Sequence, residues 1–244
     1  MNADEGVQHG LANRELRGVT VAWMASPDAI RAAGEAGHEL LIAHESLYYP
    51  YDVLQMPQPP ADWRDWAVNQ RRRSLLDQYR LSVLRLHGSV DEICIFTTFA
   101  DRLGLGTPVY DQGFIKIYEI PACQLGALVE RVKSRMGMPY VRVAAGGDLT
   151  RTVSRIGLPW GGMGLFVNVA YMQQLVAQHC DVFIAGESDN YGFRFAVESG
   201  IPMIETSHEL SENPGLRHFV AGLAARFPGV RFSFYENDCV WHVA

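Results

Sequence analysis

Apolar and polar positions alternate in blocks along the chain, short β-branched runs followed by stretches with helical spacing. GVTVAWM (18–24) reads as a buried strand. Ser26-Pro27-Asp28 then offers an N-cap with proline at the first helical position, and the helix continues through Ala36 until Gly37 stops it. ELLIAHES (39–46) is an apolar run that ends in polar residues, and YYPYDVLQMPQPPADW (48–63) holds too much proline for a central strand. Helix resumes from Trp63 to Tyr79, and LSVLRLHGSVDE (81–92) is another strand with a polar tip. Further on, FIKIYEIP (114–121) alternates like a half-buried strand, residues 123–137 form an amphipathic helix closed by Gly137, and PYVRVAA (139–145) is again strand. Helices alternating with apolar strands predict βαβ units around a mostly parallel sheet, an α/β fold.

The second half of the chain repeats the first. HELLIAHES (38–46) and HCDVFIAGES (179–188) share a strand that ends in Ile-Ala-x-Glu-Ser. A helical stretch precedes each, and before it a strand carrying Trp23 or Trp160. After each come a helix, a strand and a histidine four residues ahead of an acid, His87 with Asp91 and His208 with Glu212. This order predicts two pseudo-repeated α/β lobes related by duplication, with mixed, mostly parallel sheets. The lobes are expected over 1–106 and 151–244, joined by a bridging strand–helix–strand segment over 107–150, within one compact domain.

Composition narrows the class. The 244 residues are 48% hydrophobic and 20% charged, which excludes a disordered chain and suffices for one generous core or two smaller ones. No apolar run approaches the ~18 residues of a bilayer span, and Met1-Asn2-Ala3-Asp4-Glu5 is no signal peptide, so a cytoplasmic protein without membrane partners is expected. Cys94, Cys123, Cys180 and Cys239 lie far apart, which predicts reduced thiols and neither a zinc ribbon nor a redox pair. A net charge of -6 argues against nucleic acid as a partner. The basic run Arg71-Arg72-Arg73 reads as a solvated helix face or subunit contact rather than a phosphate site.

Chemistry in parallel α/β sheets collects at the carboxyl ends of strands. Four polar clusters fall there: His44-Glu45, His87 with Asp91, Glu187, and His208 with Glu212. Imidazole nitrogen and carboxylate oxygen suit Zn²⁺, Mn²⁺ or Fe²⁺. Duplication predicts strand ends facing each other across a pseudo-twofold cleft, where shared carboxylates could bridge two ions ~3.5–4 Å apart for hydrolysis. Plainer readings stand beside this one. His208–Glu212 fits a helix-opening ion pair capped by Ser207 or Ser211, and Glu45 and Glu187 fit capping roles at the next helix. His9, His38, His179, His218 and His242 are read as structural or surface residues. PWGGMG (159–164) invites a phosphate reading but lacks a Walker A lysine and the dinucleotide spacing, which favours a tight turn that lets Trp160 pack. Ser46 and Ser188 lack a nucleophile elbow, and the only lysines, Lys116 and Lys133, lie in the middle segment, so serine-hydrolase and Schiff-base chemistry are set aside.

With LLIAHES (40–46), HGSVD (87–91), DRLGL (101–105), DVFIAGE (181–187) and SHELSE (207–212), the chain resembles the Nif-three-like dinuclear metal proteins. Bacterial members of that family often carry the name GTP cyclohydrolase 1 type 2 homologue. The likeness runs from GVTVAW to the terminal FSFYENDCVWHV. It implies His44, Asp91, His208 and Glu212 as metal ligands, up to two ions per chain, and a toroidal homohexamer whose sites face an internal cavity. One position departs: where the family has a second histidine, this chain has Glu45. Glutamate offers a fifth, harder ligand, which shifts preference toward Mn²⁺ or Mg²⁺ or else leaves a single ion. The expected function is a metal-dependent hydrolase of a small, nucleotide-like substrate, with metal-activated water as nucleophile and Glu187 or His87 as proton shuttle or orienting group. The alternative is a non-catalytic oligomeric metal-binding or regulatory protein. A nucleotide-binding Rossmann module rests on PWGGMG alone.

Overall fold

The computed structural model describes residues 3–241, so the expectation for His242 lies outside the described residues. A short strand β1 (Gly6–His9) leads into β2 (Gly18–Ala22), all five residues of which are buried. Ser26 caps α1 (Pro27–Glu35) by accepting from the Ala29 amide, and Gly37 ends the turn at φ +66°, where only glycine sits without steric cost. Next come β3 (Leu40–Ala43), α2 (Ala67–Tyr79), β4 (Ser82–Arg85) and a one-turn helix α3 (Gly88–Val90) that runs into a π-helical turn over Asp91–Ile95. Then follow α4 (Phe96–Leu103), β5 (Tyr110–Gln112), β6 (Ile115–Gln124), α5 (Leu125–Met136) and β7 (Arg142–Ala144). The chain closes with β8 (Thr152–Gly157), α6 (Val169–Ala177), β9 (Val182–Ala185), α7 (Asn190–Glu198), β10 (Met203–Glu205), α8 (His208–Arg226) and β11 (Arg231–Tyr235).

Two compact units result, one of Met1–Cys94 with Gly215–Asn237, the other of Ile95–Pro214 with Asp238–Ala244. The first holds a five-stranded sheet in the order β1-β4-β3-β2-β11, the second a six-stranded sheet in the order β5-β6-β8-β9-β10-β7. In the first, β11, β2, β3 and β4 are parallel and β1 pairs antiparallel with β4. In the second, β8, β9 and β10 are parallel and β7 pairs antiparallel with β10. The repeated unit is therefore visible strand for strand: β1-β2-α1-β3-α2-β4 matches β7-β8-α6-β9-α7-β10, with lateral order 1-4-3-2 against 7-10-9-8. The fold is α/β and duplicated. β7, inside the 107–150 segment, is the counterpart of β1.

Registers decide what meets at the strand ends. Ala22 stands opposite Ala43, and Ala43 opposite Arg85, so β2, β3 and β4 finish level and the residues after β3 and β4 emerge at one edge. Ala185 and Glu205 are likewise opposite one another in the second unit. The first core packs Leu41, Ala43, Leu76 and Val83 with Ala29, Ile30 and Ala33 of α1. The proline-rich loop is pinned to it by Asn69, whose amide donates to the carbonyls of Tyr49 (2.6 Å) and Trp63 (2.7 Å).

One expectation is corrected here. Arg72 is buried, donates to the Leu47 carbonyl and lies 4.8 Å over the Tyr49 ring, so the middle of the basic run belongs to the core rather than to a solvated face. Its aliphatic stem suits the interior while its guanidinium reaches polar loop atoms. No helix among the described residues is long and apolar enough to cross a membrane.

Candidate functional site

The first unit brings four expected residues together where β3 and β4 end. Backbone bonds from the amides of His44 to Ala22 O (3.2 Å) and of Glu45 to Trp23 O (2.8 Å) carry the β3 ladder on past Ala43. They hold both side chains in the interior, at 1% and 2% exposure. His44 Nδ1 lies 3.1 Å from the Leu86 carbonyl. A carbonyl only accepts, so Nδ1 carries a proton, which in the neutral ring leaves the lone pair on Nε2. His44 Nε2 is 3.9 Å from Asp91 Oδ1, supplied by the turn that follows α3. His87 Nδ1 is 2.8 Å from Asp4 Oδ2, a carboxylate that can only accept, so this nitrogen too carries a proton. The two imidazoles stand edge to face with centroids 4.8 Å apart. His44, Glu45 and His87 each offer a ligand atom, and these atoms lie within 4.8 Å of one another.

The second unit gathers Glu187, His208 and Glu212. His208 opens α8; its Nδ1 is 3.0 Å from Glu187 Oε2 and its Nε2 is 3.4 Å from Glu212 Oε1. Against this group lies the glycine turn at 161–164. Gly161 has φ +49°, its amide donates to Ser211 Oγ at 3.1 Å and its carbonyl accepts from the Glu187 amide at 2.7 Å. A Cβ at Gly161 would overlap the Glu212 carboxylate, so glycine lets the backbone touch the acid. Trp160 packs beside it against Phe96, Phe114 and Tyr171, with centroids 4.7, 4.9 and 5.6 Å away, as the tight-turn reading expected.

The plainer readings fare unevenly. His208 and Glu212 are an i,i+4 pair, as a helix-opening ion pair requires. The Ser207 hydroxyl donates to Glu209 Oε2 (2.9 Å) and that of Ser211 to the His208 carbonyl (2.6 Å). α7 is capped by Asp189, which accepts from the Gly192 amide at 2.7 Å, and not by Glu187. The Ser46 and Ser188 hydroxyls donate to the carbonyls of Tyr48 and Gly164, as fits their exclusion as nucleophiles. His38 is structural, its Nδ1 2.9 Å from Thr20 Oγ1, and His9 meets Asp77 at 3.2 Å. His179 and His218 are exposed.

Sequence reasoning passed over the acids that hold these residues. Glu5 accepts from the amides of His87 (2.9 Å) and Ser89 (2.8 Å), and Asp4 grips the His87 ring. The signal lay in β1, whose pairing of Gly6 with Arg85 carries Asp4 and Glu5 to the end of β4. Four residues with one apolar side chain show no strand periodicity.

A family model described as Duf34/NIF3 (NGG1p interacting factor 3) matches residues 2–239. Among solved structures, a Bacillus cereus protein related to NIF3 superposes with a TM-score of 0.78 at 14% identity, covering 98% of this chain and 92% of that one. A Staphylococcus aureus hypothetical protein gives 0.76 at 17% identity, with 99% and 93% covered. A Thermus thermophilus protein gives 0.69 at 24% identity, with 97% and 89% covered. At these identities the solved structures speak for the fold. No curated protein matches the chain.

Proposed function

The chain belongs to the Duf34/NIF3 family, and from that premise we propose that it is a divalent-metal-binding protein working as a metal-dependent hydrolase of a small, nucleotide-like substrate. The observation that carries the reading is common to three histidines. His44, His87 and His208 each have Nδ1 against an oxygen acceptor (Leu86 O, Asp4 and Glu187), and the Nε2 atoms of His44 and His208 lie 3.9 and 3.4 Å from the carboxylates of Asp91 and Glu212. Histidines that bind metals are held this way.

The donor set of imidazole nitrogen and carboxylate oxygen fits Zn²⁺, Mn²⁺ or Fe²⁺. His44, Glu45 and Asp91 of the first unit and His208 and Glu212 of the second are the residues that would hold up to two ions. A bound ion supplies Lewis-acid polarisation and activates water near neutral pH. The chain's own residues do the rest. Asp4 and Glu187 fix the tautomers of His87 and His208 and raise the basicity of Nε2. Glu187 is 44% exposed, so its carboxylate is also placed to take a proton from the site and return it to solvent. By resemblance the assembly is a homohexamer. No residue described above recognises guanine, so GTP is not proposed as substrate.

Elemental analysis of the untagged protein and its His208→Ala variant, expressed with Zn, Mn and Fe supplied, tests the binding. Near two ions per chain in the wild type and fewer in the variant are expected. Loaded protein is then assayed against nucleotides and phosphoesters. No bound metal in either protein overturns the reading. Full metal content without turnover on any substrate leaves a non-catalytic metal-binding protein.

A further inference from the structure

The last strand of the repeat ends in a buried charge in both units, but the sign is reversed. Arg85 closes β4 opposite Ala43, and Glu205 closes β10 opposite Ala185. Each reaches the backbone that leaves the middle strand. Arg85 Nε donates to the His44 carbonyl at 3.2 Å, and Glu205 Oε1 accepts from the Ser188 amide at 3.4 Å. A buried charge is unfavourable unless it is paired and hydrogen-bonded. Arg85 meets Asp4, just ahead of β1, whereas Glu205 is bonded to Arg142, the residue directly opposite it on β7.

Arg142 does more than neutralise Glu205. Its Nε and Nη2 take the two carboxylate oxygens as a fork, and Nη2 also donates to the Ser188 carbonyl at 3.0 Å. One ion pair therefore holds both the amide and the carbonyl of Ser188. The guanidinium is half-exposed, with the rings of Phe193 and Trp241 at 5.1 and 6.0 Å. Ser188 directly follows Glu187, whose own amide donates to the Gly161 carbonyl at 2.7 Å. The Gly161 bond fixes the chain where it enters Glu187, and the ion pair fixes it where it leaves. A carboxylate on a backbone held at both sides has few places to go, and Glu187 Oε2 lies 3.0 Å from His208 Nδ1.

We infer that Arg142, through its pair with Glu205, is the positioning residue of the second unit: it holds Ser188 and so keeps the Glu187 carboxylate on the His208 ring. This rests on the reading that His208 binds a divalent ion. The role requires arginine. A lysine in its place could neutralise Glu205, but it lacks the planar fork that reaches the carboxylate and the Ser188 carbonyl together. Substitution by lysine therefore keeps a cation beside the buried acid while loosening the turn that carries Glu187.

Arg142→Lys, Glu205→Gln, Glu187→Ala and the Arg142→Lys/Glu187→Ala double variant are titrated with Zn²⁺ by calorimetry. Co²⁺ absorption spectra report the ligand field, and thermal unfolding checks the fold. Arg155→Lys is the control, because Arg155 pairs with Glu119 and donates to the carbonyls of Gln178 and His179 rather than to Ser188. Arg142→Lys is expected to lose about tenfold in Zn²⁺ affinity with an altered Co²⁺ spectrum, and Glu205→Gln to change both in the same direction. In the Glu187→Ala background, Arg142→Lys should have no further effect, because the group it directs is gone. If wild type binds metal while Arg142→Lys and Glu205→Gln both bind Zn²⁺ within about twofold of it, the positioning role is wrong and metal binding stands. An equal loss in Arg155→Lys, or an undiminished loss in the double variant, would assign the effect to the sheet as a whole and overturn the role of Arg142. If wild type binds no ion, the parent reading falls and this one with it.

Discussion

Glu187 Oε2 stands 3.0 Å from His208 Nδ1, while the opposite nitrogen of the same ring faces Glu212 Oε1 at 3.4 Å. An imidazole held between two acids has one orientation, so on the metal-binding reading Glu187 acts through His208. Glu187→Ala is expected to lower Zn²⁺ affinity by about 10–100-fold with little change in melting temperature, since the side chain is half-exposed. Calorimetric titration beside a melting curve decides it. An unchanged Kd would remove Glu187 as the orienting group.

Gly161 is expected to resist replacement at the site itself. Gly161→Ala places a Cβ in the Glu212 carboxylate and 3.2 Å from His208 Nε2, on a backbone at φ +49°. The left-handed conformation alone costs roughly 1–2 kcal/mol, and displacing Glu212 should cut metal content as well. Gly222 in α8 is the control. Nothing lies within 4 Å of its Cβ position, so Gly222→Ala should be neutral or stabilise by up to ~1 kcal/mol. Urea melts with metal analysis of both variants make the comparison.

Thiol chemistry should divide the four cysteines in half. Burial is the main cause that pushes the Cys94 thiol up to about 11 and the Cys180 thiol up to about 12, with Asp91 and Asp181 adding to it. Both are buried, whereas Cys123 and Cys239 are partly exposed. At pH 8 a disulfide reagent should titrate Cys123 and Cys239 in the native protein and all four in urea, because thiolate fraction and access govern the rate. Rapid native labelling of Cys94 or Cys180, read by peptide mass, would contradict the packing around them.

Acid should weaken the first unit through His38. Burial, with Arg231 nearby, lowers its pKa below 6.5. The unfolded chain therefore takes up this proton first as pH falls. Its contribution is intact above about pH 6.5 and is lost as pH drops from there toward the lowered folded value. His38→Gln should flatten that part of the stability profile and leave the alkaline side unchanged. An equally steep profile in the variant, measured by urea melts from pH 7.5 to 5, would assign the effect elsewhere.

Much of this was legible in the sequence, and the boundary is physical. The duplication showed because parallel strands buried on both faces need continuous apolar runs, and LLIA and VFIA repeat at matching places. His44, Glu45, His208 and Glu212 showed because they directly follow such strands or open a helix after one. What failed to show depends on contacts distant along the chain. Arg72 looked solvated because charge in a helix usually is, yet the loop above it needed a buried donor. Asp4 meets His87 only because β1 pairs with β4. The role of Gly161 against Glu212 likewise requires two segments about fifty residues apart to be level.

The first sheet is completed by β11, which begins at Arg231, whereas the strand it covers, β2, ends at Ala22. On the ribosome, that edge waits for about 200 further residues to be made. At ~5–20 residues per second the gap amounts to roughly 10–40 s. Throughout that time β2 presents bare amides and carbonyls above an apolar face, the pattern that invites pairing with the wrong chain. Nascent chains truncated before Arg231 should therefore be the aggregation-prone species, held by chaperones until the last strand arrives.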